Sequence, residues 1–518
     1  MENSTAINQR YIYPVILFVA GISIFWGIKN LFFFDEDIFV TAGGSEFLSH
    51  IWQRSIVVKL TFRADDFLWG SNPYGYHLTN LFLHLINAVL AMLVLKELLK
   101  PWVKYFTQFQ LTGIPVIFFT LFLISPVHSE PLSYILARGG SVVSFFSLLS
   151  ILFFLTSQSS NKVLLGCSLL SFLLALFSYE ISWLLPVIIL SISVFKAYVK
   201  KETIKKNMLA CAAYFLVFVI WFIFKVVIID KLVVSDYDDS GLLKTELATL
   251  VRNSIVLCLR NFVPPFKNAA LFISVSLIFC LLLLFSFYKL YKQNKQLFCF
   301  AALLLISTVF SFSAVTMLGI DSHDSESERY IYFSSTFAIM LLAVLITVLI
   351  KNKLVLVFTV MCLSGLYTIS LFKTINYYNE GGSFSRKYLT ELDKEIKSNE
   401  NIFIINMPSQ YRGALLFRAK SRIAGNTDDN VSILQEYLSG LYKKDNSCVT
   451  LSRHELNKIP DTIIVNKKSV DSITTWFPEV KINKQELKIG INENAAYSFN
   501  KANSVVVALK DNVLYFFR

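Results

Sequence analysis

Three carboxylates in a row, Asp35-Glu36-Asp37, close the first membrane-length apolar run, directly after Leu31-Phe32-Phe33-Phe34. Carboxylates at a membrane boundary are costly to desolvate, so their placement calls for a use. A general base, a cation ligand and a plain mark of where a helix meets water are the candidate readings, and the first is the one the rest of the chain favours. Further on, His77, Asn80, His84 and Asn87 stand three or four residues apart, which sets two imidazoles and two amides on one helix face. In lipid such a stripe must turn towards protein or a water-filled cavity, as interhelical hydrogen-bonding glue or as a ligand contact. His77, nearer the outer end, is the better functional choice and His84 the structural one. The stretch Ser125-Pro126-Val127-His128-Ser129-Glu130-Pro131 brings an imidazole and a carboxylate together between two prolines. Arg138-Gly139-Gly140 follows; its guanidinium either snorkels to the surface or offers a planar fork to a lipid phosphate. Ser178-Tyr179-Glu180 and Glu328-Arg329-Tyr330 complete the set. For each group alone a solvated loop charge is the bland alternative; their joint placement argues for function.

Composition sets the elements that must hold these groups. Of 518 residues, 55% are hydrophobic and 16% charged, against about a quarter charged in a soluble chain. The apolar residues fall into blocks near the length of about twenty that crosses roughly 30 Å of hydrocarbon. The blocks are 12–34, 76–95, 111–125, 134–156, 163–178, 180–195, 208–229, 269–288, 297–319, 330–350 and 353–376, of which the third, fifth and sixth are short. The first is too long, and too soon followed by others, to be a cleaved signal peptide. The chain therefore reads as a polytopic α-helical membrane protein with about eleven transmembrane helices.

Charge orients it. Lysines at 96, 100 and 104, at 196, 200, 201, 205 and 206, at 289, 292 and 295, and at 351 and 353 all fall on one side if the spans alternate. The positive-inside rule makes that side the cytoplasm. The N-terminus is then inside, and the acidic 321–329 loop and the tail are outside, as are the groups at 35–37, 77, 128–130, 138, 180 and 328–329, with His84 deeper in its span. The formal charge of +12 follows from this topology and does not indicate nucleic-acid binding. Of the seven cysteines, five lie in apolar blocks, where cysteine is a small hydrophobe; no metal-ligand spacing or disulfide framework is present.

The expected organisation is a transmembrane domain over 1–376, with outer loops 35–75 and 230–268, and an extracytoplasmic α/β domain over 377–518. Phe47 to Trp52 is amphipathic and suits a helix along the membrane surface. Leu242 to Leu259 has helical periodicity before Pro264-Pro265. In the tail, Ile402–Ile405, Thr462–Val465, Val505–Leu509 and Val513–Phe517 read as strands, the last two flanking a Lys510-Asp511-Asn512 turn. No tetratricopeptide, collagen or low-complexity repeat is present.

Here the motifs resemble a family. Asn72-Pro-Tyr-Gly-Tyr-His-Leu-Thr-Asn-Leu-Phe-Leu-His-Leu-Ile-Asn87, Pro126-Val-His-Ser-Glu-Pro-Leu-Ser-Tyr-Ile-Leu-Ala-Arg138 and Glu328-Arg-Tyr-Ile-Tyr332 resemble signatures of the transmembrane and tetratricopeptide-repeat O-mannosyltransferases and their bacterial relatives. Those enzymes belong to the GT-C superfamily, which also includes the protein O-mannosyltransferases. The resemblance implies many spans, an acidic motif in the first outer loop and a polyprenyl-phosphate sugar donor. On it, Asp35-Glu36 matches the catalytic acidic motif. It covers roughly 30–335 and not the tail. Relatives often have Ser-Lys-Glu where this chain has Ser178-Tyr179-Glu180, so a lysine contact is missing, and the repeats are absent.

The expectation is therefore a membrane glycosyltransferase that moves a sugar, mannose being one option, to an acceptor hydroxyl outside the membrane. Asp35 or Glu36 acts as base, the sugar passes through an oxocarbenium-like state, and Arg138 and Arg329 stabilise the departing phosphate. One displacement inverts the anomeric centre. Asp37, His77, Asn80, His128, Glu130, Glu180 and Glu328 support the site or orient the acceptor, which is a protein, lipid or glycan. No cofactor is assigned, and a divalent cation on the imidazoles and carboxylates is an open option. Membrane lipids are partners and nucleic acid is not. Residue usage points to a bacterial inner membrane. The rivals are a transporter or lipid-binding scaffold, against which stands the lack of an inverted repeat, and a polysaccharide polymerase or ligase using diphosphate-linked glycans.

Overall fold

A computed structural model describes residues 2–40, 55–157, 161–201, 205–228, 246–320, 322–418, 432–455, 462–465, 488–491, 504–510 and 513–517. The amphipathic Phe47–Trp52 stretch, the 510–512 turn beyond Lys510 and the start of the Leu242–Leu259 helix lie outside the described residues. The helices are α1 (Glu2–Ile28), α2 (Ile56–Trp69), α3 (Pro73–Leu99), α4 (Gln108–Leu123), α5 (Ser129–Ser133), α6 (Arg138–Ser157), α7 (Lys162–Leu176) and α8 (Leu185–Lys200). They continue as α9 (Lys205–Ile228), α10 (Leu247–Arg260), α11 (Ala269–Gln293), α12 (Lys295–Ser313), α13 (Tyr332–Leu349), α14 (Lys353–Glu395) and α15 (Leu434–Tyr442).

Among the described residues, eight helices are long and apolar enough to cross a membrane. A ninth forms if Gln108–Leu123 and Pro126–Ser133, bent by 44°, count as one span. Ile12–Ile28 and Lys162–Leu176 are shorter apolar helices. Every one of the apolar blocks read from the sequence thus carries a helix, and the protein is a polytopic integral membrane protein. The bend in α4–α5 comes at Ser125-Pro126, where proline can start a turn but cannot continue the preceding hydrogen-bond ladder.

Two compact units are present. The first comprises the described parts of 1–29, 50–62 and 77–375. Its helices start at side-chain caps: Thr107 and Gln110 form a capping box on α4, while Asn161, Asn268 and Asn294 cap α7, α11 and α12. Small polar residues draw α6 and α7 together. Ser150 Oγ donates to the Ser168 carbonyl at 2.8 Å, Ser168 Oγ donates back to the Ser150 carbonyl at 2.6 Å, and the Tyr214 hydroxyl of α9 joins both. In hydrocarbon, where apolar burial drives no association, such exchanged bonds and close small-residue contact hold helices together.

The second unit comprises the described parts of 30–49, 63–76 and 376–518, and so takes in the end of α14. Its sheet is built on β1 (Asn401–Tyr411), flanked in parallel by β3 (Ser447–Glu455) and β6 (Ser504–Lys510). β7 (Val513–Phe517) runs antiparallel to β6. β2 (Ala414–Leu415) folds back on β1 through Arg412-Gly413, both at positive φ (51° and 94°), as a tight hairpin requires. β4 (Thr462–Val465) and β5 (Lys488–Ile491) form a separate parallel pair. Where the β1–β6 ladder ends, the buried Asn406 amide replaces it, donating to the Leu509 carbonyl and accepting from its N–H.

Candidate functional site

The Pro126–Ser133 and Glu328–Tyr330 segments are almost two hundred residues apart in sequence and are locked by two crossed carboxylates. Glu130, buried on α5, accepts from the backbone N–H of Arg329 at 2.8 Å, from that of Ser327 at 3.3 Å, and from Arg329 Nη1 at 2.9 Å. Glu328 reciprocates: its Oε2 accepts from Ser129 Oγ at 2.7 Å and from the Glu130 N–H at 3.4 Å. Its other oxygen takes a 2.7 Å bond from Arg260 Nη2, both side chains being buried. Arg260 further donates to the Val263 and Asp324 carbonyls. Each carboxylate therefore satisfies the backbone of the other's turn, and each has its own guanidinium, which is what makes buried charge tolerable. Ser327 adopts φ 73° to bring its N–H round to Glu130. Burial pushes the Glu328 carboxyl up to about 7 against the opposing pull of Arg260. Burial also works against the charge of Arg329, but Glu130 outweighs it and holds the guanidinium above its ordinary range. Arg329 keeps 23% of its side chain exposed while Glu130 keeps 1%. One face of a permanently charged fork is pinned, and the remainder can meet an anion.

Gly139 and Gly140 set the approach of α6 to this lock. A Cβ on Gly140 would lie 2.4 Å from the Arg329 carbonyl oxygen, and one on Gly139 would lie 3.3 Å from the Tyr179 ring. Tyr179 in turn stacks on Tyr330 at 6.1 Å. The same helix begins with Arg138, which is fully buried. Arg138 Nε donates to Asn80 Oδ1 at 2.6 Å, Nη1 lies 3.4 Å from Thr61 Oγ1, and the guanidinium sits 4.8 Å from the Phe62 ring. Asn80 Nδ2 donates to the Pro131 carbonyl at 3.1 Å, so one amide ties α3, α5 and the arginine together.

The rest of the α3 stripe is occupied by helix contacts. His84 meets the Tyr332 hydroxyl at 2.8 Å through Nδ1 and the Leu123 carbonyl at 3.1 Å through Nε2. Asn87 donates to the Ser141 carbonyl. A carbonyl only accepts, so His84 carries its hydrogen on Nε2, and its Nδ1 accepts a hydrogen bond from the Tyr332 hydroxyl. His128 is engaged at both nitrogens as well, with Phe122 O at 2.9 Å and Ser335 Oγ at 2.8 Å. A further ligand on either imidazole must displace one of these bonds. His77 and Glu180 are both buried, at the start of α3 and just before α8.

The acidic motif belongs to the second unit. Asp35–Val40 forms a short 3-10 helix, with Asp35 and Asp37 buried and Glu36 half-buried. Asp37 Oδ2 accepts from the Phe34 N–H at 3.0 Å and caps the turn. Asp35 has φ 41°, a left-handed conformation that costs a non-glycine residue about 1–2 kcal/mol. Its N–H donates to Leu416 O at 2.8 Å, and its carbonyl accepts from the Tyr437 hydroxyl at 2.9 Å. Gly382 of α14 lies beneath the approach: a Cβ there would lie 3.1 Å from Phe34 and 3.2 Å from the Phe32 nitrogen.

The residues chosen from the sequence thus fall into groups. Glu130, Glu328 and Arg329 form one network, Asn80 and Arg138 a second, and Asp35, Glu36 and Asp37 one turn. Among the described residues, no three His, Cys, Asp or Glu side chains converge to hold a metal ion. Sequence reasoning missed Arg260 and Tyr437, and named Tyr332 only as the end of a motif, without a role. Arg260 had a signal, an arginine ending an apolar-faced helix; Tyr437 had none beyond its type.

No family model matches the chain. It is 30% identical over 132 residues to the protein O-mannosyl-transferase TMTC1 of Homo sapiens, across 26% of this chain and 13% of that protein. It is 30% identical over 110 residues to the Mus musculus protein of the same name, across 21% and 11%. The match therefore spans a small part of the length of these relatives. Their identity bears out the family resemblance read from the motifs. Among solved structures, ArnT from Cupriavidus metallidurans bound to undecaprenyl phosphate superposes with a TM-score of 0.47 at 9% identity, over 77% of this chain and 83% of that one.

Proposed function

We propose that the chain is a GT-C glycosyltransferase that moves a sugar from a polyprenyl-phosphate donor to an acceptor hydroxyl. The observation that carries the reading is the acidic turn. Buried carboxylates with Asp35 in a strained backbone conformation are what a site retains when the geometry is used, since strain of this kind persists only where the surroundings hold it. The sequence similarity to O-mannosyl-transferases supports the choice of chemistry.

In this reading Asp35, or Glu36 beside it, removes the proton from the acceptor oxygen as that oxygen attacks the anomeric carbon. The bond to the phosphate oxygen breaks in the same displacement, so the product anomer is inverted. The electron pair leaves with the lipid phosphate, whose charge Arg138 and Arg329 stabilise. The Glu130 contact fixes the Arg329 fork before substrate arrives, so little is lost to ordering it during reaction. The outer face of a bacterial inner membrane is the proposed location, with the N-terminus cytoplasmic. The test is to supply purified protein in lipid vesicles with monophosphate- and diphosphate-linked polyprenyl sugars separately. Transfer from the monophosphate donor with inversion is expected. Transfer from the diphosphate donor alone would favour a polymerase or ligase, and uptake without transfer a transporter.

A further inference from the structure

We propose that Tyr437 is a positioning residue for the acidic turn, and that the C-terminal α/β unit acts as the jig that sets the angle of the Asp35 carboxylate. This rests on the transferase reading for its catalytic consequence, though not for its geometry. The two peptide groups flanking the Asp35 Cα are both held by the tail: Leu416 O accepts the N–H at 2.8 Å, and the Tyr437 hydroxyl donates to the carbonyl at 2.9 Å. With both peptide planes restrained, φ and ψ of Asp35 are restrained, and with them the direction in which its Cα–Cβ bond projects. The left-handed region is uncommon even for aspartate, which tolerates it better than most residues, and the two contacts from outside the turn favour it at φ 41°.

Tyr437 is suited to that task. It sits on α15 with its ring edge-on to Phe417 at 5.6 Å, and Phe417 packs on Tyr388 at 5.5 Å, so the phenol is clamped within a buried aromatic row. Burial, and then the nearby Asp37 and Asp35 carboxylates, keep its hydroxyl protonated well above the ordinary range. It is therefore a donor at any working pH. Gly382 completes the seat by allowing Phe32 and Phe34 to lie against α14.

The experiment compares Tyr437→Phe with Tyr388→Phe. The second removes a buried hydroxyl from the same row that makes no hydrogen bond among the described residues. Tyr437→Phe is expected to lower kcat on the order of tenfold, as small displacements of a reacting group do, with KM for the lipid donor unchanged. It should also speed hydrogen exchange in the peptide over residues 31–40, while Tyr388→Phe changes neither. Wild-type kcat and exchange in Tyr437→Phe overturn the proposal, as does an equal loss in both variants. If wild-type protein transfers no sugar from any lipid-linked donor, the transferase reading fails and takes the catalytic role with it. Exchange still decides whether Tyr437 holds the turn.

Discussion

Gly140→Ala is a one-methyl change that should reach the arginine of the late motif. The added Cβ would sit 2.4 Å from the Arg329 carbonyl oxygen. Relaxed contact between such atoms is about 3.5 Å, so about 1 Å must be made up. Neither partner gives easily. Gly140 lies in the first turn of α6 beside buried Arg138, and the Arg329 backbone is pinned through its N–H to Glu130. Overpacking of this kind costs about 1–3 kcal/mol of stability. A 1 Å displacement of a charge-stabilising group costs on the order of a hundredfold in rate. Sugar transfer from a polyprenyl-monophosphate donor in vesicles, read beside heat stability in detergent, measures both. Two controls grade the effect. Gly139→Ala meets only the Tyr179 ring at 3.3 Å, which can tilt, and Gly166→Ala meets nothing within 4 Å. The expected order of loss is Gly140, then Gly139, with Gly166 silent. Transfer by Gly140→Ala within twofold of wild type refutes the reasoning that backbone placement at Arg329 matters.

Glu130→Gln keeps an acceptor oxygen but removes the charge facing Arg329. Heat stability should fall by about 1–3 kcal/mol, water at the partly exposed guanidinium absorbing some of the loss. Arg329→Gln in that background should then cost less than it does alone, and additive losses in the double variant contradict the pairing. Glu328 makes stability depend on pH. Its folded value near 7 lies above the ordinary 4.5, so between those values the folded chain holds a proton that the unfolded chain releases. Its contribution is full below the unfolded value and is lost as pH rises through about 7. The wild-type unfolding temperature should fall from pH 5 to pH 8, and Glu328→Gln should flatten that fall. An unchanged slope in the variant counts against it.

The apolar helices were legible because lipid enforces a local rule: every backbone group must be satisfied within an apolar run. Of the eleven expected spans, eight, or nine with the bent pair, are long and apolar enough to cross among the described residues. Each apolar block carries a helix for that reason. The bend at Ser125-Pro126 was signalled by proline, although the sequence suggested a plain turn where Ser129–Ser133 is a short helix. The tail strands at Ile402–Ile405, Thr462–Val465, Val505–Leu509 and Val513–Phe517 were readable from β-branched and aromatic runs. β3 was not, because Ser447, Thr450, Ser452 and Arg453 break its apolar pattern and its stability comes from parallel pairing with β1. The crossed carboxylates illustrate the larger limit. Glu130 and Glu328 were each visible as charges at the end of a span, but their exchange of backbone partners depends on docking of two distant turns, which no local spacing encodes. Arg260 stayed hidden for the same reason: its partner lies 68 positions away. The α3 stripe was visible as a face, and the structure assigns three of its four members to interhelical bonding.

The central claim is that the acidic turn supplies the base for sugar transfer. The most direct measurement is Asp35→Asn beside wild type, folded to the same heat stability, assayed in vesicles with a polyprenyl-monophosphate sugar. The account predicts transfer by wild type and a loss of at least about a hundredfold in the variant, as expected when a general base is removed. Undiminished transfer by Asp35→Asn would contradict it.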